Sequence, residues 1–149
     1  MPASLFDSNL WIAAIFTSHP AYRRARHALL ETTPSKPAIF CRATEQSFLR
    51  LASNPSLLSA YGAVGMTNRD ALIALKAFLS LANVCERSEP PGLVPLWERL
   101  AARETPSPKV WMDAYLASFA IAGGLRMVTL DRDFKAYESH GLNLELISS

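Results

Sequence analysis

The sequence predicts an α/β fold, a parallel central sheet flanked by helices on both faces. Three observations carry that reading. Short apolar runs of strand length alternate with longer stretches of helical period, as in linked strand–helix–strand units. The breaker residues, Pro34 to Pro37, Asn54-Pro55, Pro90-Pro91-Gly92 and Gly123-Gly124, fall at the joints between periodic stretches and not inside them. A chain of 149 residues, 50% hydrophobic, suits one domain over residues 1–149 with a core that needs no staple.

Taken in order, Ser4-Leu5-Phe6 is the first strand and ends at Asp7. Ser8 or Asn9 is placed to cap a helix carrying Leu10, Trp11, Ala14 and Ile15 on one face. A second helix follows Pro20, with Tyr22, Ala25, Leu29 and Leu30 inward and Arg23, Arg24 and Arg26 in solvent. Ala38 to Cys41 reads as a short buried strand. The helix behind it runs from about Ala43 to Ala52 and stops at Asn54-Pro55, because proline disfavours helix in the residue before it. Thr67 opens another helix, with Asp70 three residues later as in a capping box and Leu72, Leu75 and Leu79 as its inner face.

Asn83-Val84-Cys85 is the third strand, and Leu93 to Ala102 a further amphipathic helix. Ser107-Pro108 supplies a cap and a first-turn proline for the next one. That helix is apolar nearly all round through Ala120, which predicts deep burial, and Gly123-Gly124 ends it. Leu125 to Leu130 is a strand ending at Asp131, and Leu144 to Ile147 closes the sheet.

The bulk composition excludes several classes. A net charge of +2 is too small to argue for nucleic-acid binding by itself. Cys41 and Cys85 lack CxxC spacing, so they are read as small buried hydrophobes and not as zinc ligands. His19, His27 and His140 are scattered, and no phosphate-binding glycine loop or nucleophile turn is present. The N-terminus lacks the basic segment of a signal peptide, and no apolar run reaches membrane-spanning length. The expectation is a soluble cytoplasmic protein without a membrane partner.

Four carboxylates stand where carboxylates are costly, against apolar runs: Asp7, Glu45, Asp113 and Asp131. An ionised acid near a core needs a cation or hydrogen bonds. Each has a plain structural explanation, such as helix capping for Asp7 and for the Asp131–Asp133 pair, or helix-dipole complementarity for Glu45. Holding all four explanations at once is the harder requirement. If the acids converge, they would repel one another unless a divalent cation neutralised them, and oxygen-only sites suit Mg²⁺ or Mn²⁺. Such a metal can activate water and offset charge developing on a phosphate. Mg²⁺ keeps several waters, so direct ligation by all four acids is not expected. Arg42, Arg50, Lys109 and Arg132 each flank one of these acids in sequence, as cations able to hold phosphates or balance the acids.

The order D-x-N at Asp7, T-E-x-x-F-L-R-L from Thr44, D-A-Y-L-A-x-F-A from Asp113 and T-L-D-R-D-F from Thr129 resembles a PIN-domain ribonuclease. Within that group it is most similar to the VapC toxins of toxin–antitoxin pairs. The resemblance implies a PIN-like three-layer sandwich and an acidic quartet of Asp7, Glu45, Asp113 and Asp131. It makes Asp7 and Asp113 the direct metal ligands, Asn9 and Thr129 polar supports and Asp133 a fifth acid. It also implies Mg²⁺- or Mn²⁺-dependent cleavage of RNA, homodimerisation and neutralisation by a cognate antitoxin. Two rivals stand beside it. A haloacid dehalogenase-type phosphohydrolase would want an acid two residues after Asp7, where this chain has Asn9. A non-catalytic binding module would use the acids only as local caps.

Overall fold

Residues 2–148 are described by the structure, a computed structural model in which five short strands pair in parallel. They are β1 (Ser4–Phe6), β2 (Ala38–Phe40), β3 (Val84–Glu86), β4 (Arg126–Thr129) and β5 (Asn143–Leu146), in the spatial order β3-β2-β1-β4-β5. The helices are α1 (Ser8–Ala13), α2 (Tyr22–Leu30), α3 (Arg42–Ala52), α4 (Pro55–Ala60), α5 (Asn68–Leu79), α6 (Leu93–Ala101) and α7 (Val110–Ala122), with a 3-10 segment over Arg132–His140.

Alternation along the strands builds the layers. Successive side chains of a strand point to opposite faces. Phe6, Phe40 and Val128 enter one core with Trp11, Phe48 and Phe78, whereas Leu5, Ile39 and Met127 enter the other with Leu93, Phe119 and Phe134. The first core is aromatic at its centre, where Trp11 stacks on Phe40 with centroids 4.0 Å apart. A sheet buried on both faces matches the near-continuous apolar runs of its strands. The three-layer α/β sandwich is the expected fold class.

Strand β1 is central: the chain steps outward from it to β2 and β3 on one side, then crosses back to β4 and β5 on the other. The crevice at the carboxyl ends of β1 and β4 is therefore the switch point at which such sheets bind ligands.

Several local expectations are corrected. Asp7, not Ser8 or Asn9, caps α1. Leu30 is 79% exposed, because Ala21, Ala25, Ala28 and Leu29 already define the inner face of α2. The inner face of α5 is Ala71, Leu75 and Phe78, which leaves Leu72 exposed and Leu79 at the margin. The capping box of Thr67 and Asp70 forms as expected. Asn54-Pro55 does end α3, but Asn54 also accepts from the Ser56 and Leu57 N–H groups and starts α4, a helix the sequence reading lacks. Helix α7 begins at Val110, two residues beyond Pro108, and Ser107 contributes only its carbonyl to the Val110 N–H. Its first turn leaves Trp111 and Met112 exposed, so burial begins in earnest at Ala114. Cys41 is buried as expected, and Cys85 is half-buried.

Candidate active site

Asp7 follows the last residue of the central strand, and its own N–H still donates to Val128 of β4 at 3.0 Å. The side chain is 7% exposed. Its Oδ1 accepts from the Ser8 N–H at 2.7 Å and its Oδ2 from the Thr129 hydroxyl at 2.7 Å. Burial pushes the Asp7 carboxyl above the usual range, these two donors pull against it, and the charges of Asp113 and Asp131 add to the rise. Capping and site membership are thus both true of this residue.

Thr129, the last residue of β4, is a fully used hub. Its hydroxyl donates to Asp7 and accepts from the Asp131 N–H at 3.0 Å and from Asn9 Nδ2 at 3.3 Å. Asn9 Oδ1 in turn accepts from the Leu130 N–H at 3.3 Å. The two polar supports therefore tie the turn after β1 to the turn after β4.

Asp113 lies in the first turn of α7 and Asp131 and Asp133 at the start of the 3-10 segment. One carboxylate oxygen from each of the three lies within 4.8 Å of the others. Lys109 sits among them, its Nζ 3.3 Å from Asp113 Oδ2, 2.9 Å from Asp131 Oδ2 and 2.7 Å from Asp133 Oδ2. The hydrogen bonds it donates to Asp133 and Asp131 hold the ammonium well above its ordinary pKa. Burial raises the Asp113 carboxyl, with Lys109 opposing and the neighbouring acids reinforcing. Burial also acts on Asp131, but Lys109 and the Asp133 N–H outweigh it and leave Asp131 below its ordinary value. Asp131 also caps the 3-10 segment by accepting the Asp133 N–H at 2.9 Å. A cleft of about 370 Å³ opens beside these acids, lined by Arg103, Lys109, Asp113, Arg132, Asp133 and Tyr137.

Glu45 is placed differently. It is 2% exposed in the first turn of α3, with Arg42 Nη1 2.9 Å from its Oε1. The guanidinium is off-line, and Oε1 has no hydrogen-bond partner among the described residues. Burial, then the facing carboxylate of Glu86, push Glu45 up to about 7 against the pull of Arg42. Asp7, Asp113, Asp131 and Asp133 are brought together, whereas Glu45 meets Arg42 and Glu86 and none of those four aspartates. Glu86 was missed by sequence reasoning, although it ends β3 much as Asp7 and Asp131 follow β1 and β4.

Of the four cations singled out, Lys109 and Arg42 are engaged by the acids, and Arg132 lines the cleft. Arg50 instead lines a groove with Ser53, Asn68 and Leu72 between α3 and α5 that shares no residue with the acid-lined cleft. Five residues beyond Glu45, it lies more than a helical turn further along α3. Arg103, unremarked in the sequence, joins the cleft wall.

The donor set consists of carboxylate oxygens with hydroxyl and amide support, which fits a hard divalent cation and not a soft one. Lys109 already supplies positive charge at the place such an ion would neutralise.

A PIN domain profile matches residues 4–139. Ribonuclease VapC41 of Mycobacterium tuberculosis, in each of two strains, is 45% identical over 146 residues, which is 97% of this chain and 98% of the relative. The crystal structure of Mycobacterium tuberculosis VapC20, a Sarcin-Ricin loop cleaving toxin, aligns with a TM-score of 0.60 at 18% identity, over 90% of this chain and 94% of its own. VapBC2 from Rickettsia felis, bound to a DNA fragment from their promoter, aligns with a TM-score of 0.61 at 16% identity, over 97% and 98%. At such identities these two structures speak for the fold, and the sequence relationship speaks for kinship. The chain belongs to the PIN-domain family and, within it, to the VapC group.

Proposed function

We propose that this protein is an endoribonuclease toxin that cleaves RNA phosphodiesters with Mg²⁺ or Mn²⁺ and is neutralised by a cognate antitoxin. One observation carries the reading: Asp7, Asp113 and Asp131, from three separate parts of the chain, interact at the switch point of the sheet. The ribonuclease and toxin names of its relatives support the reaction class. The VapBC2 neighbour supports an antitoxin partner, and family kinship supports a homodimer. No helix among the described residues is long and apolar enough to cross a membrane, and we place the protein in the cytoplasm.

Asp7 and Asp113 would hold the metal, with Asp131, Asp133 and Glu45 arranged about it. When bound, the ion supplies Lewis acidity toward the phosphate and toward water. The chain supplies the rest. Thr129 and the Ser8 N–H fix both oxygens of Asp7, so its carboxylate is aimed before substrate arrives. Asn9 locks the Thr129 hydroxyl in that role. Lys109 keeps Asp131 ionised and available as an acceptor. Glu45, with its pKa near 7, can hold or release a proton at neutral pH. Arg132 and Arg103, on the cleft wall, attract the phosphates of the strand.

The test uses antitoxin-free protein and structured RNA with Mg²⁺ or Mn²⁺, compared with Asp7→Asn and Asp113→Asn. Cleavage that needs the cation and both acids is expected. Unaltered cleavage by either variant rejects the assignment.

A further inference from the structure

Helix α2 carries a basic run that the chemistry above leaves unused. Arg23, Arg24 and Arg26 are all exposed, while Ala25, Ala28 and Leu29 hold the helix to the core. Among the described residues, no carboxylate comes within ion-pair distance of these three guanidiniums. Arg24 donates to the Ser148 hydroxyl at 2.9 Å and to the Ser148 carbonyl, neutral groups that aim the side chain and leave its charge intact. Arg26 lies over the Tyr22 ring, 5.4 Å from its centroid, and also keeps its charge. The acids nearby are already taken. Glu31 faces His27 at 2.9 Å, and Arg126 bridges Glu145 at 3.2 Å. Arg23, Arg24, Arg26 and Arg126 thus stand against only Glu31 and Glu145, and the face is net cationic even with His27 neutral.

The end of β5 fixes where this face lies. Leu146 pairs with Thr129, and the Ile147 N–H donates to the Thr129 carbonyl at 2.8 Å. Ser148, the anchor of Arg24, comes next, so α2 meets the same carboxyl edge that carries Asp7 and Asp131. Strand β5 stands two strand spacings, about 10 Å, from β1. A cleft of about 480 Å³ separates helix from strand end, lined by Arg23, Arg24 and His27 and by Leu146, Ile147 and Ser148. Helix α2 packs into the core of Phe6 and Val128, whereas α6 and the 3-10 segment pack into that of Leu5 and Met127. Arg103 and Arg132, which line the cleft beside Asp113 and Asp133, therefore belong to the opposite face of the sheet. They too form no ion pair among the described residues. The acids lie at the edge between these two sets of arginines. Aspartates repel phosphate, so a strand brought to them needs cations that no acid has neutralised, and both sets meet that need. One RNA strand presents anions to both faces at once.

We propose that α2 is a phosphate-binding shelf for the RNA strand on either side of the cleaved linkage: Arg23 and Arg24 hold linkages beyond the scissile one, and Arg26 extends the track along the helix. This inference rests on the ribonuclease reading. The shelf holds backbone and reads no base edge, so it adds affinity without sequence preference. Its arginines take no part in the chemical step.

The experiment measures binding of a 2′-O-methylated oligouridine of about 12 nucleotides, which resists cleavage, by fluorescence anisotropy across a salt series. It compares wild type, Arg23→Gln/Arg26→Gln and Arg23→Lys, leaving Arg24 in place because it anchors Ser148. The double variant is expected to lose about 2- to 5-fold in affinity per cation, and its log–log salt slope should shrink by about 0.7 per lost contact. Arg23→Lys keeps the charge and should stay close to wild type. A control, Arg69→Gln/Lys76→Gln on α5, removes the same charge beside β3, at the other edge of the sheet, and should bind as wild type does. With a cleavable RNA of the same length, the double variant should raise KM. Arg23 and Arg26 are exposed, so the variants should fold, which thermal melts check. Affinity and salt slope equal to wild type in the double variant, with cleavage intact, would overturn the shelf alone and give α2 to a protein partner or to solvent. Equal losses in the control would overturn it as well, since net charge and not place would then be responsible. A wild type that neither binds the oligonucleotide nor cleaves RNA would overturn the ribonuclease reading, and the shelf with it.

Discussion

The Thr129 hydroxyl and the Asp7 carboxylate, 122 residues apart in sequence, meet at 2.7 Å across the carboxyl ends of β4 and β1. Both residues are buried. That bond couples the position of the most central acid to the seam of the sheet, and it sets what substitutions here should do.

Thr129→Val keeps the shape and removes the donor. The buried Asp7 Oδ2 then loses the Thr129 hydroxyl, and a loss of about 1–3 kcal/mol in unfolding free energy is expected. Metal affinity should fall by about 10- to 100-fold, as for other residues that orient a ligand. Thr129→Ser should recover most of both. Denaturant midpoints and metal titration by calorimetry make the measurement.

Asp7→Asn should separate stability from activity. Because burial disfavours the charged form, the neutral isostere should melt at a higher temperature than wild type in the absence of divalent cation. Cleavage should nevertheless fall by at least about 100-fold, since the aimed carboxylate is gone. A variant that melts lower and cleaves normally would contradict both halves.

Lys109→Met tests the built-in counter-ion. Without the ammonium, Asp113, Asp131 and Asp133 repel one another, at a cost of about 1 kcal/mol because the group is partly solvated. Adding Mg²⁺ should then raise the melting temperature more than it does in wild type, because the ion no longer competes with a resident cation. Thermal scans with and without the ion decide it.

The pH dependence follows from Glu45, whose pKa rises from 4.5 to about 7 on folding. Between these values the folded chain binds more protons than the unfolded one, so stability falls as pH rises through the window. The whole cost is present above about 7 and absent below 4.5. Glu45→Gln should therefore stabilise the metal-free protein on the alkaline side, by on the order of 1–3 kcal/mol, and leave its acid-side stability nearly unchanged. Melting curves across the pH range give the sign directly.

The sheet and the interacting aspartates were legible in the sequence because both depend on local signals. Strand-length apolar runs fix β1, β2 and β4, and an acid just beyond β1 or β4 falls on the ligand-binding edge for topological reasons. Leu30 and Leu72 were misplaced because a helical face is set by its whole partner surface, and small residues such as Ala25 and Ala71 packed closest. Helix α4 was missed because Asn54 was read only as a stop, although the same side chain starts the next helix. The bridging role of Lys109 and the pairing of Glu45 with Glu86 are tertiary facts. Nothing in the spacing of 86 and 45, or of 109 and 131, announces a contact that only the sheet order creates.

Strand β1 is flanked on one side by β4, which follows it in the chain only after two other strands. The hydroxyl that steadies Asp7, and the acids at 113, 131 and 133, all follow it by more than a hundred residues. The acid cluster therefore exists only in the folded chain, once segments far apart in sequence have been laid side by side by the sheet.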